Sequence, residues 1–167
     1  MNKLQLNELA PYLPFGLKAY FKKENTKNCR KMVIGTVSAV YSNATIVCHD
    51  TVNATPDKCF PILRPLSDLL LEINGVVGLV ELAKIHDEKT EWTLDLSEFA
   101  LKYAYDKKNP QIWFDFQNNS FYAGFDSYGD YPVNNQYRLF EYLFKNHYDV
   151  FGLIEKKIAI NANALFS

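Results

Sequence analysis

The sequence predicts an α+β fold: a small antiparallel sheet of hairpins packed by a few short helices and one longer C-terminal helix. Three observations predict it. Lys31 to Tyr41 is rich in Val and Ile, whose branched side chains suit a pleated strand. Gln111 to Phe116 and Phe121 to Phe125 are aromatic runs separated by Gln117-Asn118-Asn119-Ser120, a hairpin pattern. Asn134 to Tyr148 carries apolar residues at helical spacing.

In chain order, Leu4 to Leu13 reads as a short helix stopped near Pro11 and Pro14. Leu17 to Lys22 is strand-like, and a polar, basic turn runs from Lys23 to Asn28. Lys31 to Tyr41 is the next strand. Ser42-Asn43 turns the chain so that Ala44 to His49 pairs back, which makes a three-stranded meander. Thr51 to Pro61 reads as a loop. Arg64 to Asp68 opens a helix with Pro65 in its first turn and Leu66, Leu69, Leu70 and Ile73 as its apolar face. Asn74-Gly75 breaks it. Leu79 to His86 is a second short helix, while Glu91 to Lys102 is ambiguous between states. In the C-terminal helix, Leu139, Phe140, Leu143, Phe144, His147 and Phe151 fall on one side, and Asp149 to Gly152 ends or bends it. There is no internal repeat and no linker-like stretch, so 167 residues imply one domain, or one domain with a small subdomain.

Composition narrows the function classes. With 48% hydrophobic and 22% charged residues, the chain has too much apolar surface to stay disordered. A formal net charge of -1 excludes a histone-like binder and a polyanion mimic. Aromatic residues reach an unusual 15%, with 12 Phe, 11 Tyr and 2 Trp, and Trp113, Phe114, Phe116, Phe121, Tyr122 and Phe125 suit a small core across the second hairpin. The first eight residues lack the apolar centre of a secretory signal, and no run of 18 apolar residues exists. Cys29, Cys48 and Cys59 have no paired spacing. The expected setting is a reducing cytosol with free thiols and no membrane partner.

Enzyme chemistry finds little support. Cys48-His49 with Cys59 offers three ligands where structural zinc takes four in short paired spacings, so buried thiols and a loop histidine are the better reading. No motif sets a Ser or Cys nucleophile on a strained turn. Gly75 to Gly78 lacks the Lys-Ser/Thr of a phosphate loop. Asp87-Glu88 and Asp126 to Asp130 lie in polar stretches and read as solvated. A non-enzymatic protein with no small-molecule substrate and no cofactor is expected.

The charge layout says more. From Lys18 to Lys31 there are six basic residues, Lys18, Lys22, Lys23, Lys27, Arg30 and Lys31, against the single acid Glu24. These six are the candidate RNA- or partner-binding residues, and Tyr20 and Phe21 among them suit contact with RNA bases or backbone. From Asp68 to Glu98 there are eight acids against two bases, a stretch suited to the basic channel of a nucleic-acid enzyme. Tyr128 and Tyr131 sit in the predicted turn from Asp126 to Pro132 and are the candidate protein-binding residues, since exposed Tyr in polar loops typifies contact surfaces.

Three segments carry a resemblance: Glu8 to Lys18 (ELAPYLPFGLK), Ile62 to Leu69 (ILRPLSDL) and Leu139 to Lys156 (LFEYLFKNHYDVFGLIEK). Their order resembles small proteins of phages and prophages of Bacteroidetes, a group with no known catalytic residues to transfer. The resemblance implies a phage setting, in which small proteins serve as virion parts, replication accessories or inhibitors of host defence. It further implies an anti-CRISPR protein, which inhibits by stoichiometric binding, directed at the type VI-B RNA-targeting nucleases common in those bacteria. The expected partners are then a host CRISPR effector nuclease and its guide RNA. The alternative expectation is a phage structural or assembly accessory protein.

Overall fold

The computed structural model describes residues 3–23, 31–41, 45–48, 51–86, 92–95, 100–103, 111–115, 120–125, 129–132 and 135–165. Its helices are α1 (Leu6–Leu9), α2 (Gly78–His86) and α3 (Gln136–Lys145), with 3-10 turns between. Its strands are β1 (Lys18–Lys23), β2 (Lys31–Val40), β3 (Ile46–Cys48), β4 (Thr51–Ala54), β5 (Cys59–Leu63), β6 (Glu72–Ile73), β7 (Val76–Val77), β8 (Trp92–Asp95), β9 (Ala100–Tyr103), β10 (Gln111–Asp115), β11 (Ser120–Phe125), β12 (Gly129–Pro132) and β13 (Ile160–Asn161). The fold is α+β, as predicted. The chain forms two compact units, Met1–Leu66 with Leu143–Ser167, and Ser67–Tyr142.

In the first unit, α1 is short for a physical reason. Its entry is satisfied, because the Gln5 N–H donates to Glu8 Oε2 at 2.8 Å in a capping box. Pro11 and Pro14 then remove backbone donors, and the chain tightens into a 3-10 turn, Ala10–Phe15. Gly16 ends that turn at φ +69°, which a side chain would resist. The sheet follows in the order β13-β5-β1-β2-β3-β4. Alternation along β1 sets its two faces: Ala19 and Phe21 are buried, whereas Lys18 and Lys22 are exposed and Tyr20 is half-buried. The inward side joins Ala19, Phe21, Val37, Cys59 and Leu63 to Leu4, Leu9, Tyr12, Leu17, Ile46 and Leu153 in one core.

The C-terminal segment is fastened by backbone geometry. Where α3 stops, the Tyr148 N–H donates to Leu143 O at 2.9 Å and the His147 N–H to Phe144 O at 3.1 Å, with His147 left-handed at φ +59°. This reverse-turn closure satisfies carbonyls that a helix end otherwise leaves unpaired. A second closure of the same kind stands at Lys157, also at φ +59°, where Ile158 N–H meets Leu153 O at 3.0 Å and Lys157 N–H meets Ile154 O at 3.0 Å. The turn between them is entered by buried Asp149, whose Oδ1 and Oδ2 accept from Leu153 N–H at 2.8 Å and Ile154 N–H at 2.7 Å. Arg64, just after β5, bonds both sides of Tyr148: its N–H donates to His147 O and its O accepts from Asp149 N–H, each at 2.8 Å.

In the second unit, a sheet runs in the order β12-β11-β10-β9-β8, with each pairing antiparallel. Helix α2 buries Leu79, Leu82 and Ala83, and carries an exposed Lys84–Glu81 ion pair at 2.7 Å. Asn135 Nδ2 donates to Ile85 O in the last turn of α2, one of the carbonyls a helix end leaves open.

Several expectations need correction. Thr51 to Pro61 is not a loop: it holds β4, a 3-10 turn and the start of β5. Pro61 disguised β5, yet it stands in that strand as the Cα partner of Ala19 on β1, while β13 pairs with Ile62 and Leu63. That β13–β5 pairing is parallel, so the sheet is mixed and not purely antiparallel. Residues 66–73 do not form one helix. A 3-10 turn, Leu66–Leu70, gives way to the β6–β7 hairpin, because Asn74 and Gly75 at φ +55° and +79° make the two-residue turn that matches strand twist. Asp68, expected on a solvated face, is buried, and Leu71 is exposed. The ambiguous stretch Glu91 to Lys102 contains β8 and β9. The C-terminal helix ends at Lys145, short of Tyr148, because the left-handed turn at His147 ends it.

Candidate nucleic-acid interface

The side of β1 turned away from the core gathers the chemistry. Register places Tyr20 between Ile34 of β2 and Phe60 of β5, so these three residues form a row across adjacent strands. At the interstrand spacing of about 4.8 Å, that row spans roughly 10 Å. Ile34 is 51% exposed, and Tyr20 and Phe60 are half-buried. Lys22, the next outward residue of β1, holds its Nζ 4.8 Å from the centre of the Phe60 ring. Lys18 lies two outward positions back, about 13 Å along the strand at 3.3 Å per residue. The result is a lysine–aromatic–lysine strip on the outward side of β1, with Lys18 and Lys22 exposed and Tyr20 half-buried.

Of the predicted basic residues, the structure brings Lys18 and Lys22 to this face with exposed side chains. Lys23 and Lys31 are Cα partners at the far end of the β1–β2 hairpin. Lys27 and Arg30 lie outside the described residues. Phe21 is corrected: strand alternation turns it into the core at 5% exposure, and it cannot meet RNA. The aromatic residue that takes its place is Phe60, missed because its segment read as a loop. The signal available was period two from Phe60 to Ile62, with Cys59 and Leu63 on the opposite side.

Tyr131 is also corrected. It belongs to β12 and pairs with Ala123, so it is a strand residue and not part of a turn, while Tyr128 lies outside the described residues. The acidic stretch gives no single face among the described residues, since Asp68 is buried and Glu81 is paired with Lys84. Cys59 is a buried core thiol, and His49 lies outside the described residues. Among the described residues, no three His, Cys, Asp or Glu side chains gather to hold a metal ion. No helix among them is long and apolar enough to cross a membrane.

The buried polar side chains of the first unit serve the backbone. Tyr12 O–H donates to Tyr148 O at 2.7 Å and accepts from Val150 N–H at 3.3 Å. Burial lifts its hydroxyl above the ordinary phenol range. Burial likewise raises the Asp149 carboxyl, against the two backbone N–H groups that pull it down. His147 Nε2 lies 3.1 Å from Phe15 O, which makes Nε2 the protonated nitrogen. Burial lowers the His147 imidazole, with Arg64 and Lys18 acting in the same direction.

A pH dependence follows. The unfolded chain binds a proton at His147 more readily than the folded chain does. Its stabilising contribution is therefore complete above the ordinary histidine range and falls as pH drops through the lower folded value. The melting temperature is expected to decline between about pH 7 and pH 5. His147→Asn, which tolerates the left-handed backbone but does not titrate, is expected to flatten that decline. A decline of equal steepness in the variant would assign it to other groups.

The chain matches no protein-family model, no curated protein and no solved structure.

Proposed function

We propose that the protein is a non-enzymatic binding protein that inhibits an RNA-guided, RNA-targeting defence nuclease by engaging the nuclease and its guide RNA. The observation that carries this reading is the lysine–aromatic strip of β1, where Lys18 and Lys22 flank Tyr20 on an exposed sheet face. Ammonium groups supply the salt-dependent attraction to phosphate, and aromatic rings suit unpaired bases. The nuclease as target rests on the resemblance of residues 8–18, 62–69 and 139–156 to phage and prophage proteins. Buried Tyr12 and Asp149 and half-buried His147, the polar groups nearest to catalytic chemistry, are engaged by backbone partners, which favours a structural role for them over turnover.

The test is a pull-down of the tagged protein from a Bacteroidetes host lysate, with and without RNase. Retention of the CRISPR nuclease, either direct or RNase-sensitive, is the expected result. Inhibition should then titrate near one equivalent, whereas an enzyme would act substoichiometrically. Recovery of phage structural proteins in place of the nuclease would end the inhibitor reading and favour an assembly role.

A further inference from the structure

We infer that the outward face shared by β1 and β5 is a stacking platform for single-stranded RNA, with Tyr20 and Phe60 each beneath a base and Lys18 and Lys22 on the flanking phosphates. The inference deepens the RNA half of the proposed function and rests on it. Three observations carry it. Tyr20 and Phe60 are cross-strand partners on one face, so their side chains stand on neighbouring positions of the sheet. The row continues to Ile34, which is 51% exposed and extends the apolar strip. The face of Phe60 is covered by an ammonium group, Lys22 Nζ at 4.8 Å, and by a side chain that is itself exposed.

Magnitudes decide what happens when RNA arrives. A lysine over an exposed ring contributes about 0.5–1 kcal/mol. A base stacked on an aromatic side chain contributes about 1–3 kcal/mol. The base therefore displaces the ammonium, and the released Lys22 is within side-chain reach of the phosphate that follows that base. Charge complementarity selects the occupant, because both charged side chains of the β1 strip, Lys18 and Lys22, are basic and exposed. The platform also selects strandedness. Bases in a duplex stack on each other and expose only edges, so a flat aromatic row offers them nothing.

The experiment uses fluorescence anisotropy with a labelled 12-nucleotide uridine homopolymer and an RNA duplex of equal length, on the full chain. Wild type is expected to bind the single strand more tightly than the duplex. Phe60→Leu and Tyr20→Leu keep an apolar side chain on the sheet, and each is expected to weaken single-strand binding by about fivefold or more. Lys22→Gln is expected to reduce the salt dependence by about 0.7 in the log–log slope, while Phe60→Leu leaves that slope unchanged. Circular dichroism melting of each variant establishes that it is folded. Absence of single-strand binding by wild type, equal affinity for the duplex, or unaltered affinity in folded Phe60→Leu would overturn the inference. Nuclease inhibition that persists in a protein unable to bind the homopolymer would remove the platform but leave the inhibitor. Binding without any inhibition would do the reverse.

Discussion

Reversing three charges, Lys22→Glu, Lys23→Glu and Lys27→Glu, is expected to abolish both RNA retention and nuclease inhibition while the chain stays folded. Hydrogen bonds to charged groups contribute about 1.5–3 kcal/mol, so each lost phosphate contact weakens binding by roughly tenfold or more. The glutamates also add repulsion where attraction stood. The folded state loses little. Lys22 is exposed, and its contact with Phe60 is of the exposed cation–ring kind, about 0.5–1 kcal/mol. An inhibition titration, an RNA mobility shift and a thermal melt on the same preparation check the three parts together. Full inhibition by the folded variant would remove the RNA contact from the mechanism.

The second large effect is on stability. Tyr12 is fully buried, with Phe144 and Phe151 packed edge-on at centroid distances of 5.0 and 6.2 Å. Its hydroxyl donates to Tyr148 O and accepts from Val150 N–H. Tyr12→Phe keeps the ring and removes the two hydroxyl bonds, but the Val150 N–H still donates to Tyr148 O at 3.0 Å, so the cost is the net one of lost hydrogen bonds, about 0.5–1.5 kcal/mol. Tyr12→Ala also empties the ring site, for about 3–5 kcal/mol from the cavity and lost burial, with the hydroxyl bonds lost in addition. Denaturant unfolding of both variants separates the two contributions. If Tyr12→Phe matched wild type, the hydroxyl bonds would be contributing nothing net, and the ring would account for the whole effect.

The parts of the fold readable from sequence are those where one local signal acts unopposed. Strand β2 announces itself by its Val and Ile content, the β10–β11 hairpin by two aromatic runs around a polar turn, and α3 by the spacing of Leu139 and Leu143, both fully buried. The parts that escaped are those where two signals compete. Pro61 argues against a strand, yet it stands in β5 as the Cα partner of Ala19, and only tertiary pairing reveals that. Leu66, Leu69, Leu70 and Ile73 have helical spacing, yet the Asn74-Gly75 turn preference prevails over it. The candidate site divides in the same way. Lys18, Tyr20 and Lys22 were available from alternation along one strand. Phe60 comes from a segment some forty residues away and joins them only through the β1–β5 register.

The Tyr12 hydroxyl reaches a carbonyl 136 positions along the chain, and β13 completes the β5 edge from the far C-terminal side. The first unit is thus assembled from two separated stretches, with every residue of the second unit between them. During synthesis the β1–β2 hairpin emerges early but waits for residues 143–165 before its core can close. Throughout that interval the apolar inner side of β1, with Phe21 and Ala19, has no C-terminal cover. Closing so long a loop adds entropy cost slowly with length, but contacts of such separation form late and slowly. Translation rate and chaperone access while residues 143–165 are being made should therefore govern the yield of the native protein more strongly than the equilibrium stability of the finished fold.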